Sequence, residues 1–397
     1  MNSIQKIYNY LFALFCASFP FTDLAKAIPN ILMGVLGVLF FFLIKKEDFK
    51  KLRLKSLNLF VLMIFVGFFS MLIFQRWDDM SFIIRLLTII VIILISLPVK
   101  DLKTPIKTFV ISSLSLLIIS SFKLILYAKN SSFFDFTLGK HINDLLLGER
   151  PYLGMLYVTS ACLCWYLASK TSLFSKYLWY IISVIFVGFV FVISARMALI
   201  SFFIIVFVNL FYHNKRLKMA LTLASGIMVL AILLFSFNEN IKKRFFISDV
   251  NHTVSEKLAF EPRYHIWECA ISLEQNTNSI LFGKGFKNTE DELVNCYKAK
   301  EKFYTEEQQQ WFIAKRFNSH NQYLGIYYSM GVIALVGFIG FLYYALYENR
   351  KSYYAMSLLL LLSLFFITEN LIYRQIGITY IGLSLVFAWF INRENAK

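Results

Sequence analysis

Three side chains stand where a strongly apolar chain has least reason to place them: Arg196, Arg263 and His320. Arg196 lies in Ile193-Ser-Ala-Arg-Met-Ala-Leu199, at a tight turn between two apolar runs. A cation there either snorkels to lipid headgroups or aims its fork into a cavity, where it binds phosphate oxygens bidentately. So short a turn fixes its position closely, which favours the cavity. Arg263 follows Glu261-Pro262 and opens Arg263-Tyr-His-Ile-Trp-Glu-Cys-Ala-Ile271. Proline is a common first residue of a helix. Ile266, Trp267, Ala270 and Ile271 then recur at three-to-four spacing and predict one apolar face. Arg263 at the first turn is either aimed at an anion or solvated on the polar face. His320 stands just before the apolar run from Gln322. A neutral imidazole at a water-to-bilayer junction is a natural base for a hydroxyl proton, although an interfacial histidine needs no such task.

The elements that must position these residues are membrane spans. Of 397 residues 58% are hydrophobic and only 16% charged, an apolar content that no soluble domain can hide. The apolar runs are continuous rather than alternating, which predicts helices and not a barrel. At about 20 residues per crossing, the chain divides into spans near 7–22, 28–44, 57–75, 81–97, 108–127, 151–168, 177–194, 197–212, 219–236, 322–347, 353–368 and 376–391. The expectation is an all-α integral membrane protein of about twelve transmembrane helices with one long periplasmic segment. Spans one to nine occupy residues 1–236, the segment with short amphipathic helices 237–320, and spans ten to twelve 321–397, all in one integrated membrane domain.

Lysine and arginine fix the expected orientation. One side holds the runs at 45–55, 100–107 and 215–218, whereas the other holds scattered residues such as Lys26, Arg76 and Lys129. Both termini are therefore expected in the cytoplasm and the long segment outside. The first apolar run lacks a small-residue cleavage site, so no cleavable signal peptide is expected. The net charge of +16 is assigned to the cytoplasmic face, where basic residues meet anionic lipid, and not to nucleic acid. No histidine, cysteine or carboxylate grouping has metal-ligand spacing, and neither a metal nor a cofactor is expected. Cys16, Cys162 and Cys164 fall within spans, while Cys269 and Cys296 share the outer segment. Whether those two pair is a question of geometry that sequence leaves open.

Three segments, in order, resemble the O-antigen ligase and polymerase family of bacterial envelope glycosyltransferases. Ser194-Ala-Arg196-Met-Ala-Leu resembles its Ser-Arg turn. Arg263-Tyr-His-Ile-Trp267-Glu-Cys-Ala270 with Leu281-Phe-Gly283-Lys-Gly285 resembles its Arg-x-x-x-Trp-x-x-Ala and Phe-Gly-x-Gly stretch. His320-Asn321, nine residues and Gly331 resembles the ligase signature, from which Ala334 departs where Gly, Thr or Tyr is expected. The likeness covers roughly residues 150–390.

The resemblance implies transfer of a glycan from undecaprenyl diphosphate at the periplasmic face of the bacterial inner membrane. A ligase passes it to a sugar hydroxyl of lipid A–core, a polymerase to a second lipid-linked glycan. Arg196 and Arg263 would stabilise the leaving diphosphate, His320 would orient or deprotonate the acceptor, and the reaction would invert the anomeric carbon without a metal. Asn321, Trp267 and Arg150 are expected to join the arginines in holding diphosphate or acceptor. The runner-up is the polymerase. A solute transporter is the remote alternative, because no internal repeat or Gly/Pro-broken pair of spans marks matching halves.

Overall fold

The computed structural model describes residues 3–130, 143, 145–212, 262–273, 276–300 and 306–395. The expected ninth span at 219–236 lies outside them. The described residues fold into α-helices and short 3-10 turns, as a chain must when hydrocarbon supplies no partner for backbone polar groups. The first half runs α1 (Ser3–Ser18), α2 (Ala27–Leu43), α3 (Leu54–Ile73), α4 (Met80–Ser96), α5 (Lys103–Asn130), α6 (Arg150–Ser169), α7 (Leu173–Val192) and α8 (Arg196–Tyr212). Four short helices follow: α9 (Pro262–Ser272), α10 (Thr277–Phe282), α11 (Phe286–Ala299) and α12 (Glu306–Lys315). The chain closes with α13 (Gln322–Asn349), α14 (Tyr353–Phe365) and α15 (Gln375–Asn395).

Seven of these helices are long and apolar enough to cross a membrane: α3, α4 extended by the turn before it, α5, α6, α7, α13 and α15. Helices α2, α8 and α14 are apolar but shorter. The protein is thus an all-α integral membrane protein. Its centre is α6 and α15, buried along nearly their whole lengths. Around them α7 packs on α6, α4 on α15, and α3 on α13. The outer helices leave large apolar side chains uncovered, such as Phe41 and Phe42 on α2 and Phe174 on α7.

Helices α9 to α12 form a cap over one end of the bundle, with a small core of their own. Ile266, Ala270, Leu293, Tyr297 and Phe312 are buried together there against Tyr328 of α13. A disulfide joins Cys269 of α9 to Cys296 of α11, with 5.8 Å between their Cα atoms. It also redirects α9. The spacing of apolar residues predicts a face of Ile266, Trp267, Ala270 and Ile271, but the crosslink draws Cys269 inward. His265, Ile266, Cys269 and Ala270 are buried, and Ile271 is exposed.

The cap is pinned to the bundle by glycine. Gly331 interrupts α13 with φ +82° and Gly283 ends α10 with φ +71°, conformations that side chains resist. The two turns interlock: Lys284 N–H donates to Tyr328 O at 2.8 Å and Gly285 N–H to Ser329 O at 2.9 Å. A Cβ on Gly331 would stand 2.2 Å from Leu281 O, and one on Gly283 2.3 Å from Met330 N. Arg76 Nη1 donates to Gly283 O (2.8 Å) and Ser70 Oγ to Phe282 O (2.8 Å), so the α3–α4 corner holds the same turn.

Candidate active site

Arg196 is the first residue of α8, carried in by a turn in which Ser194 adopts φ +52°. That turn lies hard against α6, where a Cβ on Gly154 would fall 2.6 Å from the Ala195 Cβ and 2.8 Å from the Ala198 Cβ. Small residues on both sides therefore let the α7–α8 corner seat beside the start of α6, where Arg150 precedes Pro151. Both arginines reach one cavity of about 630 Å³.

Arg263 enters the same cavity from the cap, together with Trp267. Its Nη2 lies 2.8 Å from Glu369 Oε1, and its Nε donates to the Thr368 carbonyl at 3.3 Å. Trp267 Nε1 donates to the Ser319 carbonyl at 3.1 Å, which ties α9 to the strand of chain that leads into α13. The cap helix is thus held on one side by its disulfide and on the other by these three contacts.

His320 occupies the left-handed region at φ +42°, where histidine is found more often than most side chains. Its backbone N–H donates to Asn318 Oδ1 (3.0 Å), and the neighbouring Ser319 Oγ accepts from Asn370 Nδ2 (2.9 Å). Its Nδ1 stands 3.3 Å from Glu369 Oε2, without the alignment of a full hydrogen bond. His320 does not itself line the cavity; Glu369, which does, connects it to Arg263. Asn321 is otherwise engaged. Its Oδ1 accepts from Leu324 N–H at 3.0 Å and caps α13.

Glu369 is the residue that sequence reasoning left aside. It sits in the short link between α14 and α15 and is 5% exposed. Burial alone would raise its carboxyl, but His320 and Arg263 beside it overcome that and hold it below the ordinary glutamate value. The available signal was a carboxylate at the end of an apolar run with almost no loop to solvate it. Arg374, five residues further along the same link, pairs with Glu149 at 2.5 Å. Arg85 stands away from the cavity, donating from Nη1 to the Tyr373 carbonyl at 2.6 Å.

One end of the bundle therefore gathers three guanidinium groups, a buried carboxylate and an imidazole. Such a set can bind a multiply charged anion, stabilise negative charge as it develops, and direct a base. Residues 181–339, from within α7 to within α13, match the family model described as O-antigen ligase. The match takes in Arg196, Arg263 and His320, and it stops short of Arg150 on one side and Glu369 on the other. No curated protein matches the chain.

Proposed function

We propose, from the premise that this chain carries the domain of the O-antigen ligase family over residues 181–339, that it is an O-antigen ligase. It moves a glycan from undecaprenyl diphosphate to a sugar hydroxyl of lipid A–core, at the periplasmic face of the bacterial inner membrane. The observation that carries this reading is the convergence of Arg150, Arg196 and Arg263 on one cavity bounded by Glu369. A leaving diphosphate builds charge on phosphate oxygens, and fixed guanidinium groups stabilise that charge as it forms. The chain's own cations supply the stabilisation, so the reaction is proposed to need no metal.

His320 is the base. With Nδ1 turned to the Glu369 carboxylate, Nε2 is the nitrogen left to take a proton, the orientation that a carboxylate imposes in other base-catalysed transfers. The acceptor hydroxyl gives its proton to Nε2 as its oxygen bonds to the anomeric carbon. The bond from that carbon to the phosphate oxygen breaks, its electron pair leaves with the diphosphate, and the configuration inverts. Glu369 touches neither substrate in this scheme and acts as a positioning residue.

The second reading is a polymerase, favoured by Ala334 at the position where the ligase signature has Gly, Thr or Tyr. Donor and leaving group would be the same, and the acceptor a second lipid-linked glycan. Purified protein, a lipid-diphosphate glycan and lipid A–core, assayed with and without EDTA, test both. Ligase activity predicts EDTA-insensitive transfer to the core, reduced at least 100-fold in Arg263→Ala, the scale set by loss of one donor to a developing anion. Transfer only to a second lipid-linked glycan would establish the polymerase, and a fully active Arg263→Ala would remove the diphosphate role.

A further inference from the structure

A second cavity, of about 530 Å³, opens between the cap and the α3–α4 corner. Its lining differs in kind from that of the candidate active site. Its charged groups are satisfied within the wall: Lys284 Nζ pairs with Glu292 Oε2 at 2.6 Å, and Arg76 donates to the Gly283 carbonyl while lying 4.6 Å from the centre of the Phe74 ring. What remains towards the opening is neutral and polar, chiefly the carboxamides of Asn278 and Asn288, both exposed. Amides that donate and accept, beside an aromatic ring, match a ligand rich in hydroxyls and poor in charge.

The wall is also pre-formed. Asn276 caps α10 through Ser279 N–H (2.8 Å), Asn288 Nδ2 donates to the Lys284 carbonyl (3.0 Å), and the Lys284–Gly285 backbone is bonded to Tyr328 and Ser329 of α13. A site held in this way spends little binding energy on ordering itself. Ser329 lies seven residues into α13 from Gln322, on the order of 10 Å at the rise of a helix, and His320 stands two residues before that helix begins. A glycan of several sugars held at His320 can span that interval.

We infer that this cavity is a glycan subsite, holding neutral sugar residues remote from the reacting one. The inference rests on the glycan-transfer reading above but uses none of its catalytic residues. The test is calorimetric titration of the full-length protein in detergent with the polysaccharide that mild acid releases from the surface of the producing cells. Wild type should bind it, and the double variant Asn278→Leu with Asn288→Leu should bind at least tenfold more weakly at an unchanged melting temperature. Arg263→Ala should bind as wild type does. A milder pair, Asn278→Ala with Asn288→Ala, replaces the first should it fold poorly. Wild type that does not bind, or a folded pair that binds equally well, overturns the subsite. Transfer measured on the same preparations keeps the two ideas apart: protein that binds glycan yet transfers none counts against the transferase alone.

Discussion

The Glu369 carboxylate stands 2.8 Å from one guanidinium nitrogen and 3.3 Å from an imidazole nitrogen, and replacing it has two separable consequences. Glu369→Gln should slow transfer by about 100-fold, within the range for a disabled general base. Because the glutamine no longer fixes which nitrogen of His320 faces the acceptor, the pH profile of kcat should change while KM for the donor moves little. A merely structural role would lower the amount of folded enzyme and leave the profile alone. The same change should also cost on the order of 2 kcal/mol of stability, less than an enclosed pair because Arg263 opens to the cavity. The sign of the pH effect follows from the direction of the shift. A carboxyl held below its ordinary value stabilises the fold above the ordinary glutamate range, and that contribution is lost as the pH falls through the lowered value. Wild type should therefore lose melting temperature on acidification more steeply than Glu369→Gln, and parallel curves would contradict the pairing. Arg263 stands out in the sequence because it opens an amphipathic segment behind Pro262, and Arg196 and His320 because each lies at the end of an apolar run. Glu369 is such a residue too, but its meaning depends on two partners 49 and 106 positions away in the chain, which no local pattern reveals.

At the scale of elements, the interlock of Gly283 with Gly331 bears most directly on the site, because α13 carries His320 at its head. Gly331→Ala combines a left-handed backbone with a Cβ 2.2 Å from a carbonyl oxygen, and should destabilise by more than about 2 kcal/mol. Thermal unfolding of the purified protein would measure it, and a shift below a few tenths of a kcal/mol would show that the turn gives way easily. Reduction of the Cys269–Cys296 bond should act differently. Cys269→Ser with Cys296→Ser should lower activity more than it lowers folded protein, because α9, which carries Arg263, then loses its covalent tie to α11. Measuring kcat per folded molecule separates the two effects. Helices were the most legible elements, since continuous apolar runs leave the backbone one choice. Two details were hidden. A glycine within an apolar run reads as an ordinary packing residue, so the break in α13 gives no sign. The inward face of α9 was turned by a crosslink whose partner lies 27 residues away.

At the scale of the molecule, the cap and the lysine-rich segments sit at opposite ends of the expected topology. Accessibility to an impermeant maleimide tests this directly in intact spheroplasts. Asn288→Cys should be labelled from outside, and Glu47→Cys only after the membrane is opened; the reverse pattern would invert the orientation. The three unpaired cysteines among the described residues are buried and should add little background.

The pairing of Arg263 with Glu369 has a consequence for what the membrane itself can do to the cavity. Bilayers are crowded with single phosphate groups at concentrations far above that of any rare lipid carrier. An arginine already engaged by a buried carboxylate presents a threshold: an arriving anion must outcompete an existing ion pair before it gains the guanidinium. A diphosphate, with more charge to spread over three arginines, clears that threshold more readily than a phosphodiester does. In the proposed reaction the carboxylate would serve as a filter against the commonest headgroups as well as a support for the base.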